Sequence, residues 1–274
     1  MKQIFITGGL GNQMFQYALM ISLQNKGIKV EMNTALYHFN KMHNGYMLGR
    51  SFGIYSNDEK CNSNLRVFWS RAVRQQKIPF VLYKEVEDRF CEDVFSTCKP
   101  YIDGCWINPR YFEQVKDQIR SSFSFKDIDS KNLELADKIQ SCNSVSIHIR
   151  RGDYTNNPMY NVCNEEYYRQ AINYIVYRIQ NPKFFVFSDD PTWCEGFMQQ
   201  MGVSYQIINH NTFENSYKDM YLMTQCKHNI MANSTFSWWG AWLGSSENRI
   251  VVCPDRWING RDFNPCLKEW CHIK

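Results

Sequence analysis

The sequence predicts an α/β protein with two β/α regions, one at each end of the chain. Three observations predict it. Apolar runs of strand length alternate with helical runs in residues 1–32 and again from residue 144 onward. Glycines or charged and hydroxyl side chains follow the strands, at the edge where parallel sheets hold ligands. The 274 residues are 44% hydrophobic, enough to fill one large core or two ordinary ones.

At the N-terminus "KQIFIT" reads as a strand and "GGLG" as a turn. In the helix that follows, Phe15, Ala18, Leu19, Ser22 and Leu23 share one face at helical spacing, and Gly27 is placed to end it. "IKVEM" is the next strand, so the two strands should be parallel. Residues 33–140 are less regular. "NLRVFWSRAVRQQ" and "PRYFEQVKDQIRSSF" predict helices, the second opened by Pro109. "FVLYKEV" and "YIDGCW" predict strands, and "KNLELADKIQS" a helix. Beyond residue 143 the strands are "SVSIHI", "KFFVFS", "VSYQIIN", "HNIMAN" and "RIVVCP". The helices between them are "EEYYRQAINYIVYRIQ", "PTWCEGFMQQM", "NSYKDMYLMTQC" and "TFSWWGAWLG". The expected domains are 1–140 and 141–274.

Composition narrows the functional classes. A net charge of +4, from 31 basic and 27 acidic residues, is too mild for a nucleic-acid-binding face. The 11 cysteines are scattered without a CxxC pair, as expected of free thiols in a reducing compartment. Cys266, Cys271 and His272 lie close together but lack the second pair a structural zinc site needs. The N-terminus lacks the apolar region of a leader, and no run is long enough to span a bilayer. The expected location is therefore cytoplasmic. "LRVFWSRAVRQQK", basic with an aromatic patch, leaves open a peripheral contact with the inner face of a membrane, against the plainer reading as a packed helix.

The chemistry gathers behind the strands. "SVSIHI" delivers Arg150, Arg151 and Asp153, with His148 on the same strand face as Arg150. A planar guanidinium fork suits a phosphate, and Asp153 is placed to hold one arginine. The plain alternative is a structural Arg–Asp pair. "KFFVFS" is followed by Asp189 and Asp190, one suited to cap the helix that Pro191 opens and one to accept from the edge of a guanine. "HNIMAN" leads into Asn233, Ser234, Thr235 and Phe236, where a helix N-terminus presents free amides to an anion. Trp238, Trp239 and Trp242 read as packing. In "GGLGNQ", Gly9 and Gly11 permit close approach of backbone to a ligand, and Asn12 and Gln13 put amides at the helix start. Gly9, Gly11 and Glu31 also form part of a dinucleotide fingerprint, but Met14 stands where its third glycine belongs. "DID", Asp127 to Asp129, matches a D-x-D metal motif literally but does not follow an apolar strand.

"GGLGNQMFQYA", "HIRRGDY", "FFVFSDDP" and "NSTFSWWGAWL" occur in this order, and together they resemble the α-1,2-fucosyltransferases of glycosyltransferase family 11. "DGCWINPRYF" is similar to a further family segment, in which an aromatic is more usual at the position of Cys105. The likeness covers Met1 to about Pro254. It implies a GT-B-type fold, with two Rossmann-like β/α domains facing a cleft. It also implies inverting transfer of fucose from GDP-β-L-fucose to O2 of a terminal galactose, on a free oligosaccharide or a lipid-linked glycan, with no metal or other cofactor. Residues 1–140 would then lie on the acceptor side and 141–274 would bind GDP-fucose.

Under that resemblance Arg150 meets the β-phosphate and Arg151 supports it. Asn233, Ser234, Thr235 and Phe236 supply the helix end, and His148 with Asp189 or Asp190 faces the guanosine. Gly9, Gly11, Asn12 and Gln13 border the donor. Asp153 is the nearest candidate base. The alternatives are a fucosyltransferase of another linkage and a non-catalytic nucleotide-binding module. The acceptor and the oligomeric state are not legible.

Overall fold

The computed structural model describes residues 1–38, 44–57, 64–86 and 89–274, with the side chains of His38 and Asp153 also outside the description. The chain divides into two units, Met1–Asp127 and Ile128–Lys274. The expected boundary at 140/141 falls later than this. The helix "KNLELADKIQS" belongs to the second unit because its Leu135, Ala136 and Ile139 are buried against Phe185, Phe187 and Leu222 there.

The first unit holds strands β1 (Lys2–Phe5), β2 (Val30–Asn33), β3 (Leu82–Lys84) and β4 (Tyr101–Asp103), and helices α1 (Leu10–Asn25), α2 (Leu48–Phe52), α3 (Asn64–Arg74) and α4 (Lys116–Ser122). Its sheet runs β2-β1-β4-β3 and is parallel throughout. The chain leaves β1 to β2 on one side, while β3 and β4 lie on the other. The order therefore reverses between β1 and β4. "PRYFEQVKDQIRSSF" is not one helix but two 3-10 turns, Pro109–Tyr111 and Glu113–Val115, followed by α4. At Phe112 the backbone leaves helical geometry (φ −133°, ψ 15°) while Tyr111 and Phe112 are both buried, so side-chain burial overrides local helix preference.

The second unit holds α5 (Ser130–Gln140), β5 (Ser144–Ile149), α6 (Gly152–Thr155), α7 (Glu165–Arg178), β6 (Lys183–Ser188), α8 (Pro191–Met201), β7 (Ser204–Ile208), α9 (Tyr217–Gln225), β8 (His228–Ile230), α10 (Thr235–Leu243), β9 (Val251–Pro254) and β10 (Cys271–Ile273). The last strand is not legible in the sequence. The sheet order is β10-β9-β8-β5-β6-β7, again all parallel. Strand alternation sorts the core onto two faces. Val145, Ile147, Ile149, Phe184 and Val186 pack with α7 and α8, and Phe185 and Phe187 with α5 and α9. Chain order reverses between β5 and β8. Two such units are the Rossmann-like halves expected of a GT-B-type fold. No helix among the described residues is long and apolar enough to cross a membrane.

Candidate active site

Ligands of open parallel sheets sit beyond the carboxyl ends of the strands, where the strand order reverses. In the second unit that place is the end of β5 and β8. The parallel register sets Ile149 against Ser188, so Arg150 and Arg151 emerge beside Asp189 and Asp190. Arg150 Nη1 lies 3.0 Å from Asp189 Oδ2. The other oxygen of Asp189 accepts the backbone N–H of Arg151 at 2.9 Å. Arg151 Nε donates to Asp190 Oδ2 at 3.1 Å, and its guanidinium lies 4.0 Å from the centre of the Trp193 ring. Asp190 Oδ1 accepts the Trp193 N–H at 3.1 Å, the expected cap of α8, with Pro191 in the first turn.

Gly152 makes this packing possible. A Cβ there would stand 2.7 Å from Asp189 Oδ2. Among the described residues the arginines pair with Asp189 and Asp190, just beyond the end of the neighbouring strand. The backbone of Asp153 lies in α6, and its side chain is outside the described residues.

His148 is buried at the end of β5 with its ring 5.8 Å from that of Phe236, on the first turn of α10. Burial, with the adjacent Arg150 charge, pushes its pKa down to about 3. The imidazole is therefore neutral at physiological pH. Its Nδ1 is buried and has no hydrogen-bond partner among the described residues. Ser234 caps α10, its hydroxyl accepting from Phe236 N–H at 3.3 Å, and Thr235 is the first helical residue. Asn233 does not present its amide to a ligand. It is buried, and its Nδ2 donates to the carbonyls of Tyr160 and Trp257 at 2.9 and 3.0 Å, tying two loops together. Trp238, Trp239 and Trp242 pack on one another, and the indole N–H of Trp238 donates to Pro265 O.

The first unit has its own reversal point, at the ends of β1 and β4. The left-handed residue of the glycine turn is Gly8 (φ 78°), while Gly9 precedes α1 with ordinary extended geometry and Gly11 lies in its first turn. Gln13 is not available to a ligand. It is fully buried, its Nε2 lies within 2.8–2.9 Å of Gly8 O, Tyr37 Oη and Gly45 O, among which its two hydrogens are shared, and its Oε1 accepts from Met47 N–H. Gln16 does similar work, accepting from Thr7 N–H and donating to Gly104 O. Asn12 reaches toward exposed Cys105, its Nδ2 4.0 Å from the sulfur.

Glu85 Oε2 accepts the N–H groups of Cys105 and Trp106 at 2.7 and 2.9 Å, and a Cβ on Gly104 would meet Glu85 Cβ at 2.4 Å. Glu85, Gly104 and Gln16 escaped the sequence reading, as did Trp193 and Gly152. A glycine directly after β4 was the available signal for Gly104. Asp129 of "DID" caps α5 and pairs with Lys218 at 2.7 Å, which fixes that carboxylate. Among the described residues no group of three or more His, Cys, Asp or Glu is placed to hold a metal ion.

A parallel-sheet unit with paired arginines and a capped helix end at its reversal point suits a transferase that handles a phosphorylated donor. The chain belongs to glycosyltransferase family 11, whose model matches residues 1–274. It is 34% identical over 292 aligned positions to an alpha-1,2-colitosyltransferase of Escherichia coli, covering 98% of this chain and 97% of that one. It is 32% identical to the O-antigen biosynthesis glycosyltransferase WbnK of Escherichia coli, covering 98% and 99%. Among solved structures, the fucosyltransferase NodZ from Bradyrhizobium shares the fold, with a TM-score of 0.52 at 12% identity over 87% of this chain and 92% of that one.

Proposed function

We propose that the chain transfers L-fucose from GDP-β-L-fucose to O2 of a terminal β-galactose, inverting the anomeric centre and requiring no metal. The observation that carries the donor half is the end of β5. Two arginine forks and the N-terminus of α10 meet there beside a neutral histidine whose buried Nδ1 has no partner among the described residues. The linkage half rests on the alpha-1,2 specificity in the name of a relative aligned over nearly the whole chain.

The reaction breaks the bond between the anomeric carbon and the β-phosphate oxygen, so negative charge grows on the leaving diphosphate. Preorganised donors aimed at that charge lower the barrier. Arg150 would take the β-phosphate and Arg151 would support it. The backbone amides at the start of α10, around Ser234 and Thr235, would take further oxygens. His148 and one aspartate would meet the guanosine. Asp189 and Asp190 each already accept from an arginine, but a carboxylate has about four acceptor sites, so a guanine edge can still be accommodated. The acceptor hydroxyl becomes the nucleophile, and its proton goes to Asp153 or to solvent.

A second reading differs only in the sugar. Similarity to a colitosyltransferase favours a 3-deoxy analogue of fucose as the transferred group. The test is GDP release from GDP-fucose, with and without lactose, in excess EDTA, with the product linkage read by NMR. Lactose-dependent release with an α-1,2 product is expected. Release only from the 3-deoxy donor would select the second reading, and metal-dependent release would overturn the metal-free mechanism.

A further inference from the structure

Helix α3 is apolar on two opposite sides. Val67, Ser70 and Val73 form its buried stripe. Leu65, Phe68 and Trp69 lie on the other side, 76%, 69% and 45% exposed. The outer face of a surface helix normally carries polar and charged residues.

The turn that follows continues the pattern. Phe80 is 90% exposed and sits at φ 65°, a left-handed conformation that a bulky residue rarely adopts. Strain of this kind persists where it serves something, because glycine would occupy the position without cost. Residues 64–84 carry three arginines and two lysines and no acid, in a chain whose charges otherwise nearly balance. Arg66 and Arg74 pair with Glu31 and Asp103, at 3.5 and 3.0 Å, and Arg71, Arg74, Lys77 and Lys84 are all exposed to solvent.

We infer that the outer face of α3 and the Phe80 turn form a docking surface for an anionic lipid bilayer. Exposed aromatic and aliphatic side chains enter the interfacial region while neighbouring cations meet anionic headgroups, and the two contributions add. Trp69 suits that depth, with an apolar ring and an indole N–H already donating to Tyr101 Oη at 2.8 Å. A second copy of the chain is a poorer occupant. A two-fold contact sets the same patch against itself, and here it would oppose like charges.

The test is co-sedimentation of the full chain with vesicles of phosphatidylcholine, with or without phosphatidylglycerol. The expected result is binding to the mixed vesicles, roughly tenfold weaker binding to neutral ones, and loss of the difference at high salt. Phe68→Ser and Phe80→Gly should each weaken binding several-fold. Phe80→Gly also relieves the left-handed backbone, so its melting temperature should stay level or rise. The double substitution Arg71→Glu with Lys77→Glu should abolish the preference for anionic vesicles. Absence of vesicle binding would overturn the inference, as would equal binding by the wild type and well-folded Phe68→Ser and Phe80→Gly. A dimer in light scattering that those substitutions dissolve would assign the face to a second copy instead.

Discussion

The two units have the same kind of sheet and the same kind of reversal point, yet they furnish it differently. At the end of β5 and β8 the chemistry is carried by side chains. Arg150 and Arg151 reach out and are steered by Asp189, Asp190 and Trp193. At the end of β1 and β4 it is carried by backbone. Gln13, Gln16 and Glu85 are turned inward and hold the turns at Gly8 and Gly104 in shape. One point offers charge to a ligand. The other offers a fixed surface with little side chain in the way, bordered by Asn12 and Cys105. The same topology thus yields an end lined with carboxylate-steered arginines in one unit and a backbone-shaped end in the other.

The largest test of that contrast is Arg150→Lys. The charge remains but the fork is lost, so kcat/KM with the sugar nucleotide should fall roughly 100-fold while the melting temperature holds. Near-normal turnover would mean that charge alone, without geometry, serves the site. Gly152→Ala comes next. The added methyl displaces the Asp189 carboxylate and with it the alignment of Arg150, and turnover should drop about tenfold in a folded enzyme.

Gln13→Leu probes the other unit and should act on stability. It leaves Gly45 O and Met47 N–H without their buried partner, Gly8 O keeping the Tyr37 hydroxyl, and a loss of about 3 kcal/mol is expected in denaturant titration. If it instead spared stability and removed nucleotide binding, Gln13 would be a ligand contact after all.

The smallest effect on turnover is expected at Asp219 on α9, an acid the proposed mechanism does not use. Burial raises its pKa to about 7, against a partly offsetting hydrogen bond from Asn211. A carboxyl whose folded pKa lies above its unfolded value favours the fold at low pH. That contribution is lost as pH rises from about 4 to about 7. Asp219→Asn should therefore melt higher than the wild type at about pH 8, converge with it below about pH 4, and keep its turnover.

How much could be read in advance follows from how local each feature is. The strands β5, β6 and β8 and the cap at Asp190 were legible because each is encoded within a few residues. The pairing of Arg150 and Arg151 with Asp189 and Asp190 was not, because it depends on the register of β5 against β6. Asn12, Gln13 and Asn233 looked alike in sequence, as amides beside a turn. Gln13 and Asn233 proved buried because distant segments at Gly45, Met47, Tyr160 and Trp257 close over them. The helix break at Phe112 and the strand β10 were likewise set by packing and pairing outside their own segments. Assignment of α5 to the second unit depended on its burial against β6 and α9, which its amphipathic pattern alone could not direct.

In the proposed function the end of β5 binds a nucleoside diphosphate through arginine geometry. Calorimetric titration of GDP into the wild type and Arg150→Ala tests it most directly. The expected result is binding by the wild type that weakens with salt, and an affinity loss of about 100-fold in the variant. Equal affinity in the two proteins, both folded, would contradict it.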